Sequence, residues 1–112
     1  MIEEYAHGHG YTVNVEFGGH GIGQELHMSP LVHHNRTPSA CTAEMRPGMA
    51  FTIEPILHIK PSVQYVQFED GWTMQAPGNP SCQWEHIVLI TESGHEILTM
   101  REGETLPFQT LN

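Results

Sequence analysis

The sequence is short of basic residues, of cysteine and of long apolar runs, and each shortage excludes a class of protein. Lysine and arginine together number 4 against 13 aspartate and glutamate residues, which gives a formal net charge of −9. We therefore expect no nucleic-acid partner, because binding to phosphate needs clustered positive charge. The 2 cysteines are too few for a disulfide framework or a zinc knuckle, so a reducing compartment is expected.

No apolar run approaches the roughly 18 residues that a membrane-spanning helix needs, and no basic and then apolar signal region follows Met1. We expect no membrane partner and a cytoplasmic location, with an organelle left open because an upstream targeting segment would lie outside this sequence. The 38% hydrophobic content of the 112 residues indicates a folded chain of one domain at most. The 9 histidines suggest metal binding, because neutral imidazole is the commonest metal ligand.

The polarity pattern predicts an α+β fold that is mostly antiparallel β. Strands are predicted at residues 11–17, 49–59, 63–68, 72–75, 82–91 and 95–100. The glycine-rich residues 18–23 are predicted to form a loop, and Asp70-Gly71 a hairpin turn. A helix is predicted over residues 1–6, and so short a helix is typical of an element that begins upstream. We therefore expect a single partial domain over residues 1–112 that belongs to a longer protein.

Two glutamates stand in apolar strands where a carboxylate is out of place. Glu54 is flanked by apolar residues on both faces of its strand, and Glu85 precedes a segment that is apolar on both faces. A buried ionised carboxylate must be protonated, paired with a cation or bound to a metal. None of the four basic residues falls in the first strand, so a metal ion is the favoured partner. A carboxyl group bonded to the backbone, or a buried Glu–His pair, stays open as the alternative.

His20 lies in a run that contains four glycines, and His27 follows seven residues later. Glycine lets the backbone adopt conformations closed to other residues and lets another group approach closely. A lone histidine in such a run is commonly a surface residue. Two histidines beside a pair of buried glutamates instead favour a functional site.

These residues form four motifs, in the order GHGIG at 19–23 followed by His27, GMAFTIEP at 48–55, WT at 72–73 and SCQWEH at 81–86. In this order and spacing they resemble the type I methionine aminopeptidases of the creatinase, or pita-bread, metallopeptidase superfamily. The resemblance runs from about residue 10 to residue 99. It implies that the chain is the C-terminal half of a pita-bread fold.

The resemblance implies that His20, Glu54 and Glu85 are metal ligands, with Glu85 bridging two divalent ions. Co, Mn, Fe and Zn all suit such histidine and carboxylate ligands. In the family mechanism a water activated by metal attacks the scissile carbonyl. Glu54 would be catalytic by taking and relaying the proton. The substrates would be peptides with an N-terminal methionine.

The resemblance also implies a substrate-binding side of the site. His27 would be catalytic by hydrogen bonding to the substrate amide and stabilising the tetrahedral state. Trp72 and Phe17 would be walls of the methionine pocket, with simple core packing an equal alternative. Gly18 and Leu26 depart from the usual family residues, Cys and Phe, which leaves the selectivity for methionine open.

The family takes two aspartate ligands and a further histidine from an N-terminal half that this sequence lacks, and Asp70 is its only aspartate. Three ligands cannot fill two coordination spheres. We therefore expect this chain alone to bind at most one ion weakly, to be inactive, and to expose apolar surface through which it dimerises or aggregates. A different class of function also stays open, namely a non-catalytic module of the creatinase fold that binds peptides or proteins without metal.

Overall fold

A computed structural model gives the structure and describes residues 1–36, 43–61 and 64–105. These residues form one helix, α1 (Ile2–Gly8), which confirms the helix predicted at the start of the chain. They also form ten strands: β1 (Thr12–Val13), β2 (Gly19–Gly21), β3 (Met28–Val32), β4 (Ala50–Ile53), β5 (Ile56–His58), β6 (Val66–Gln67), β7 (Met74–Gln75), β8 (Ser81–Gln83), β9 (His86–Thr91) and β10 (Gly94–Ile97).

The strands build three sheets in which every neighbouring pair is antiparallel. The five-stranded sheet has the order β10-β9-β4-β2-β3, the three-stranded sheet β1-β5-β8, and the third is the hairpin β6-β7. The prediction of an α+β fold, mostly antiparallel β, is confirmed. Strand β10 is shorter than the strand predicted over residues 95–100.

The strands predicted over residues 49–59 and 82–91 are each divided in two, so the prediction of two continuous strands was wrong. The first division falls at Glu54-Pro55, between β4 and β5, where proline has no N–H to donate to a ladder. The second falls at Trp84-Glu85, between β8 and β9. At the first division the chain passes from the five-stranded sheet to the three-stranded one, and at the second it passes back.

The two divisions lie at the same level of neighbouring strands. Ile53 pairs with His86 on one side of the gap, and Ile56 pairs with Gln83 on the other. Two residues of each strand lie between these pairs. The Glu54-Pro55 step and the Trp84-Glu85 step therefore lie side by side in the gap between the two sheets.

The strand predicted over residues 11–17 is short in the structure, because only β1 forms a ladder. The side-chain Oδ1 of Asn14 accepts the backbone N–H of Glu16 at 2.7 Å and that of Phe17 at 2.9 Å. A side-chain acceptor thus replaces the strand partner that these N–H groups would need.

The loop predicted over residues 18–23 was wrong, because its centre is strand β2, which lies between β3 and β4. A Cβ atom at Gly19 would stand 2.2 Å from the Thr52 carbonyl oxygen, and one at Gly21 would stand 2.3 Å from that of Ser29. Both glycines are therefore required by close approach of the neighbouring strands. They hold His20 in the sheet, next to β4.

The hairpin β6-β7 follows the prediction in kind. Strand β6 covers part of the strand predicted over residues 63–68, of which Val63 lies outside the described residues. The Asp70 carboxylate accepts the N–H groups of Trp72 at 2.9 Å and Thr73 at 2.8 Å, and Gly71 has a φ of 70°. The predicted turn is confirmed, and it places Trp72 two residues before β7.

The apolar core is small. Among the described residues the buried apolar side chains are Ala6, Val13 and Val88. Large apolar side chains that are more than half exposed include Trp72, Trp84 and Leu26. No helix in the described ranges is long and apolar enough to cross a membrane.

Candidate metal centre

His20 and Glu54 come together across strands β2 and β4. The Nε2 atom of His20 lies 3.4 Å from Oε1 of Glu54, and their side chains are 16% and 17% exposed. The sequence predicted a buried Glu54 carboxylate, and the structure shows a partly buried one. A carboxylate at this depth needs a compensating partner.

The hydrogen bond of the His20 ring indicates which tautomer its neutral form adopts. Nδ1 lies 3.0 Å from the Gly21 carbonyl oxygen, which can only accept, so Nδ1 carries the proton. In the neutral imidazole Nε2 is then an acceptor. A backbone carbonyl that accepts from one ring nitrogen in this way orients a histidine to bind metal through the other.

The separation of 3.4 Å fits an ion between the two groups better than a direct ion pair. A charge-assisted N–H···O bond is normally about 2.7–2.9 Å long. Two ligand atoms that each lie about 2.1 Å from one ion at a tetrahedral angle are about 3.4 Å apart. Imidazole nitrogen and carboxylate oxygen are donors that suit Mn, Fe, Co and Zn. These residues therefore fit one side of a divalent metal site.

The Glu54 carboxylate is fixed at both oxygens. Thr52 donates its hydroxyl to Oε1 at 2.7 Å, and the Gln83 amide nitrogen donates to Oε2 at 3.0 Å. The backbone N–H of Glu54 donates to Nε2 of His34 at 3.1 Å. Burial lowers the pKa of His34 against the opposing effect of the Glu54 carboxylate, so this imidazole is held neutral as an acceptor.

No lysine or arginine compensates Glu54. All four basic side chains of the sequence have other partners: Arg36 with Glu4, Arg46 with Glu44, Lys60 with the Gly78 carbonyl, and Arg101 with Glu104 and the Trp84 ring. Among the described residues, the ionisable side chains in contact with Glu54 are two histidines, His20 at the carboxylate and His34 at the backbone N–H.

Glu85 is exposed, so the prediction that its carboxylate is buried was wrong. The physical reason is the division between β8 and β9, which takes Glu85 out of the ladder and away from the apolar half of its predicted strand. The backbone of Glu85 nevertheless lies beside that of Glu54 in the gap between the two sheets. Within residues 1–36, 43–61 and 64–105, no three His, Cys, Asp or Glu side chains converge closely enough to hold a metal ion.

His27 and Trp72 lie beside the pair. The ring of His27 packs edge-on against His20 with 4.4 Å between ring centroids, and the Trp72 ring is 6.4 Å from His27. Both His27 and Trp72 are exposed. The structure thus gathers four of the six residues singled out in the sequence at one surface of the five-stranded sheet, namely His20, Glu54, His27 and Trp72.

Phe17 lies in a different place from Trp72. Its ring packs edge-on against Tyr65 with centroids 5.6 Å apart. Both rings line a cavity of about 230 Å³ that also includes Ile56, Met74 and Gln83. Gln83 is the link between this cavity and Glu54, because its amide reaches the carboxylate.

The sequence reasoning did not single out Thr52, Gln83 or His34. Thr52 precedes Glu54 by two residues, so strand periodicity would have placed the two side chains on one face. Gln83 reaches Glu54 from β8, and His34 reaches it from the segment after β3. No local pattern in the sequence points to those two contacts.

The comparisons with known proteins agree with a site of this kind. The family described as metallopeptidase family M24 matches residues 1–92, and its members are metal-dependent peptidases. The chain belongs to metallopeptidase family M24, as the resemblance predicted.

The relatives are named as particular enzymes of this family. The chain is 41% identical to a methionine aminopeptidase of Chlamydia muridarum over 104 residues, which are 92% of the chain and 35% of that protein. It is 40% identical to the methionine aminopeptidase of Salmonella typhimurium over 107 residues, which are 95% of the chain and 40% of that protein.

Solved structures give the same result for the fold. The chain matches the crystal structure of a methionine aminopeptidase from Thermotoga maritima with a TM-score of 0.77 and 38% identity, over 89% of this chain and 40% of that chain. The prediction of part of this fold is confirmed. The chain spans about two fifths or less of the length of these three relatives.

Proposed function

We propose that this chain carries part of the active site of a methionine aminopeptidase, which removes the initiator methionine from nascent proteins. The observation that carries the proposal is the meeting of His20 Nε2 and Glu54 Oε1 at 3.4 Å, with no basic side chain to compensate the carboxylate. The names of the relatives supply the reaction and the substrate class, peptides with an N-terminal methionine.

His20, Glu54 and Glu85 would hold the metal in this proposal. The complete site would take two divalent ions, chosen among Co, Mn, Fe and Zn. A bound divalent ion makes water nucleophilic near neutral pH and polarises a carbonyl. Glu85 is included among the metal ligands because its backbone lies beside that of Glu54 in the gap between the two sheets.

The proposal gives the chain's own residues the following roles, which their positions support. Glu54 takes the proton of the attacking water at its carboxylate, whose two oxygens are held by Thr52 and Gln83. His27, exposed beside His20, donates a hydrogen bond to the substrate amide. Trp72 stands next to His27 and offers an aromatic wall to a thioether. Phe17 would be a second wall, on the side of the Tyr65 cavity.

Residues 1–112 form a single partial domain in this proposal, and the two aspartate ligands come from the portion of the enzyme that the chain does not cover. In this proposal the isolated chain binds one ion weakly, through His20 and Glu54, and does not turn over substrate. A cytoplasmic location fits an enzyme that acts on nascent proteins.

A chimera tests whether these residues work in catalysis. The matching segment of the Salmonella typhimurium enzyme is replaced by this chain, and hydrolysis of Met-Ala-Ser is measured with added Mn²⁺. We expect turnover that Glu54→Gln lowers by about 100-fold or more, because a positioned proton acceptor is lost. Glu92→Gln, at an exposed glutamate after β9, should leave turnover unchanged. A folded, active chimera that tolerates Glu54→Gln would refute the proposal.

A non-catalytic peptide- or protein-binding module is the second candidate. It is favoured by the lack of three converging ligands within the described part of the chain. Titration of the chain with Mn²⁺ separates the two functions. A catalytic fragment binds an ion that His20→Ala and Glu54→Gln release, whereas a module without metal binds none.

A further inference from the structure

We infer that Thr52 is the positioning residue that fixes Glu54 against His20, and this inference rests on the proposed function. Thr52 lies on β4, two residues before Glu54, and is 0% exposed. Its hydroxyl touches both members of the pair. No other described side chain bonds to His20 and to Glu54 at once.

The hydroxyl of Thr52 has one proton to donate and two lone pairs to accept with. It accepts the backbone N–H of His20 at 2.9 Å and donates to Oε1 of Glu54 at 2.7 Å. The His20 carbonyl, at 3.5 Å, is the weaker competitor for that proton. A bond to a carboxylate is shorter and stronger than one between neutral groups, so the proton lies toward Glu54.

One oxygen atom therefore joins the backbone of His20 to the carboxylate of Glu54. The oxygen that it holds, Oε1, is the one that faces His20 Nε2. Gln83 holds the other oxygen, Oε2, so the carboxylate cannot rotate freely. Removal of the Thr52 hydroxyl would release Oε1 and leave the His20 N–H without an acceptor.

The Thr52 hydroxyl lies where β2 and β4 approach each other closely. A Cβ atom at Gly19 would stand 3.0 Å from the Thr52 hydroxyl oxygen, so the glycine leaves room for the hydroxyl beside His20. A threonine that served only to fill the sheet would be replaceable by valine, which has the same shape without the hydroxyl. Because the hydroxyl makes two hydrogen bonds, we expect that valine cannot replace Thr52 without loss of metal affinity.

The affinity of the chain for Mn²⁺ tests this inference without reference to activity. Free Mn²⁺ is measured by electron paramagnetic resonance during titration of the 112-residue chain, and folding is checked by its NMR spectrum. We expect Thr52→Val to weaken Mn²⁺ binding by about 10- to 100-fold, the usual effect of losing an outer-shell partner. Thr52→Ser, which keeps the hydroxyl, should retain wild-type affinity. Thr91→Val makes the same substitution in β9 and should change nothing.

Two further variants separate this inference from the proposed function. His20→Ala and Glu54→Gln should each remove Mn²⁺ binding. If neither does, or if the wild-type chain binds no Mn²⁺, the proposed metal site fails. If both do while folded Thr52→Val binds as tightly as wild type, the site stands and the positioning role of Thr52 is overturned. Should Thr52→Val fail to fold, Thr52→Ala takes its place, and equal affinity of the alanine and serine variants overturns the inference.

Discussion

At the scale of single residues, histidines in this chain are held in defined protonation states by their neighbours. His58 is 2% exposed, and its Nε2 lies 3.3 Å from the Asn14 amide nitrogen and 3.1 Å from the Tyr65 hydroxyl. The Asn14 oxygen is already occupied by the N–H groups of residues 16 and 17, so the amide nitrogen faces His58 as a donor. The His58 Nε2 must therefore accept, and the ring must be neutral.

This neutral state makes stability depend on pH. Burial lowers the pKa of His58 from its ordinary value of 6.5. Between the lowered pKa and 6.5 the unfolded chain binds more protons than the folded one, so stability is complete above about pH 6.5 and is lost as pH falls below it. We expect the free energy of unfolding, from urea titrations, to fall as the pH drops below the ordinary histidine pKa of 6.5.

The matched variants are His58→Gln and His95→Gln, the second at an exposed histidine of β10. His58→Gln should be less stable near neutral pH and should lose less stability on acidification. A remaining pH dependence is expected from His34, whose pKa is also lowered by burial. His95→Gln should follow the wild-type curve. Parallel curves for wild type and His58→Gln would show that His58 is not the titrating group.

At the scale of elements, the sequence predicted the kinds of structure better than their limits. Apolar residues around Glu54 predicted a strand, and the turn at Asp70-Gly71 was predicted from local chemistry. The divisions at Glu54-Pro55 and Trp84-Glu85 were not predicted, because periodicity reports local polarity while these breaks are set by pairing with a remote strand.

The candidate site was predictable to the same degree. His20, Glu54 and their meeting follow from the motifs and from a carboxylate without a basic partner. The exposure of Glu85 does not follow, because the limits of β8 and β9 decide it. The roles of Gln83 and His34 require the fold, since they reach Glu54 from elements distant in sequence.

Strand β2 offers a test of why its glycines are there. Gly19→Ala would place a Cβ atom 2.2 Å from the Thr52 carbonyl oxygen, so β2 and β4 must separate. We expect a loss of about 1–3 kcal/mol of stability or more in chemical denaturation, as for overpacked cores. Gly23→Ala is the matched control, because its Cβ would meet only Met28 Sδ at 3.6 Å, an ordinary contact. Equal stability of the two variants would contradict close strand approach as the reason for Gly19.

At the scale of the whole molecule, many large apolar side chains of the described residues are exposed and few are buried. Trp72 is 77% exposed, Leu26 64% and Leu31 58%, and Leu31 lies on β3, an edge strand of the five-stranded sheet. Exposed apolar side chains on an unpaired edge favour association with another chain. The relatives carry more than half of their length outside the part that matches this chain.

We expect the isolated chain to self-associate, and light scattering after size-exclusion chromatography measures this. Leu31→Lys should shift the chain toward monomer, because a charge on an edge strand opposes pairing. Ser93→Lys, which adds the same single charge at an exposed turn between β9 and β10, is the control for net charge. A monodisperse wild-type monomer would count against this expectation.

The central claim is that a divalent ion, and not a proton, belongs between His20 and Glu54. Anomalous diffraction at the zinc edge from crystals of the chain grown with Zn²⁺ tests it most directly. The claim predicts a peak about 2.0–2.2 Å from both His20 Nε2 and a Glu54 carboxylate oxygen. Zinc at other histidines only, with Nε2 and Oε1 in direct contact at hydrogen-bond distance, would contradict it.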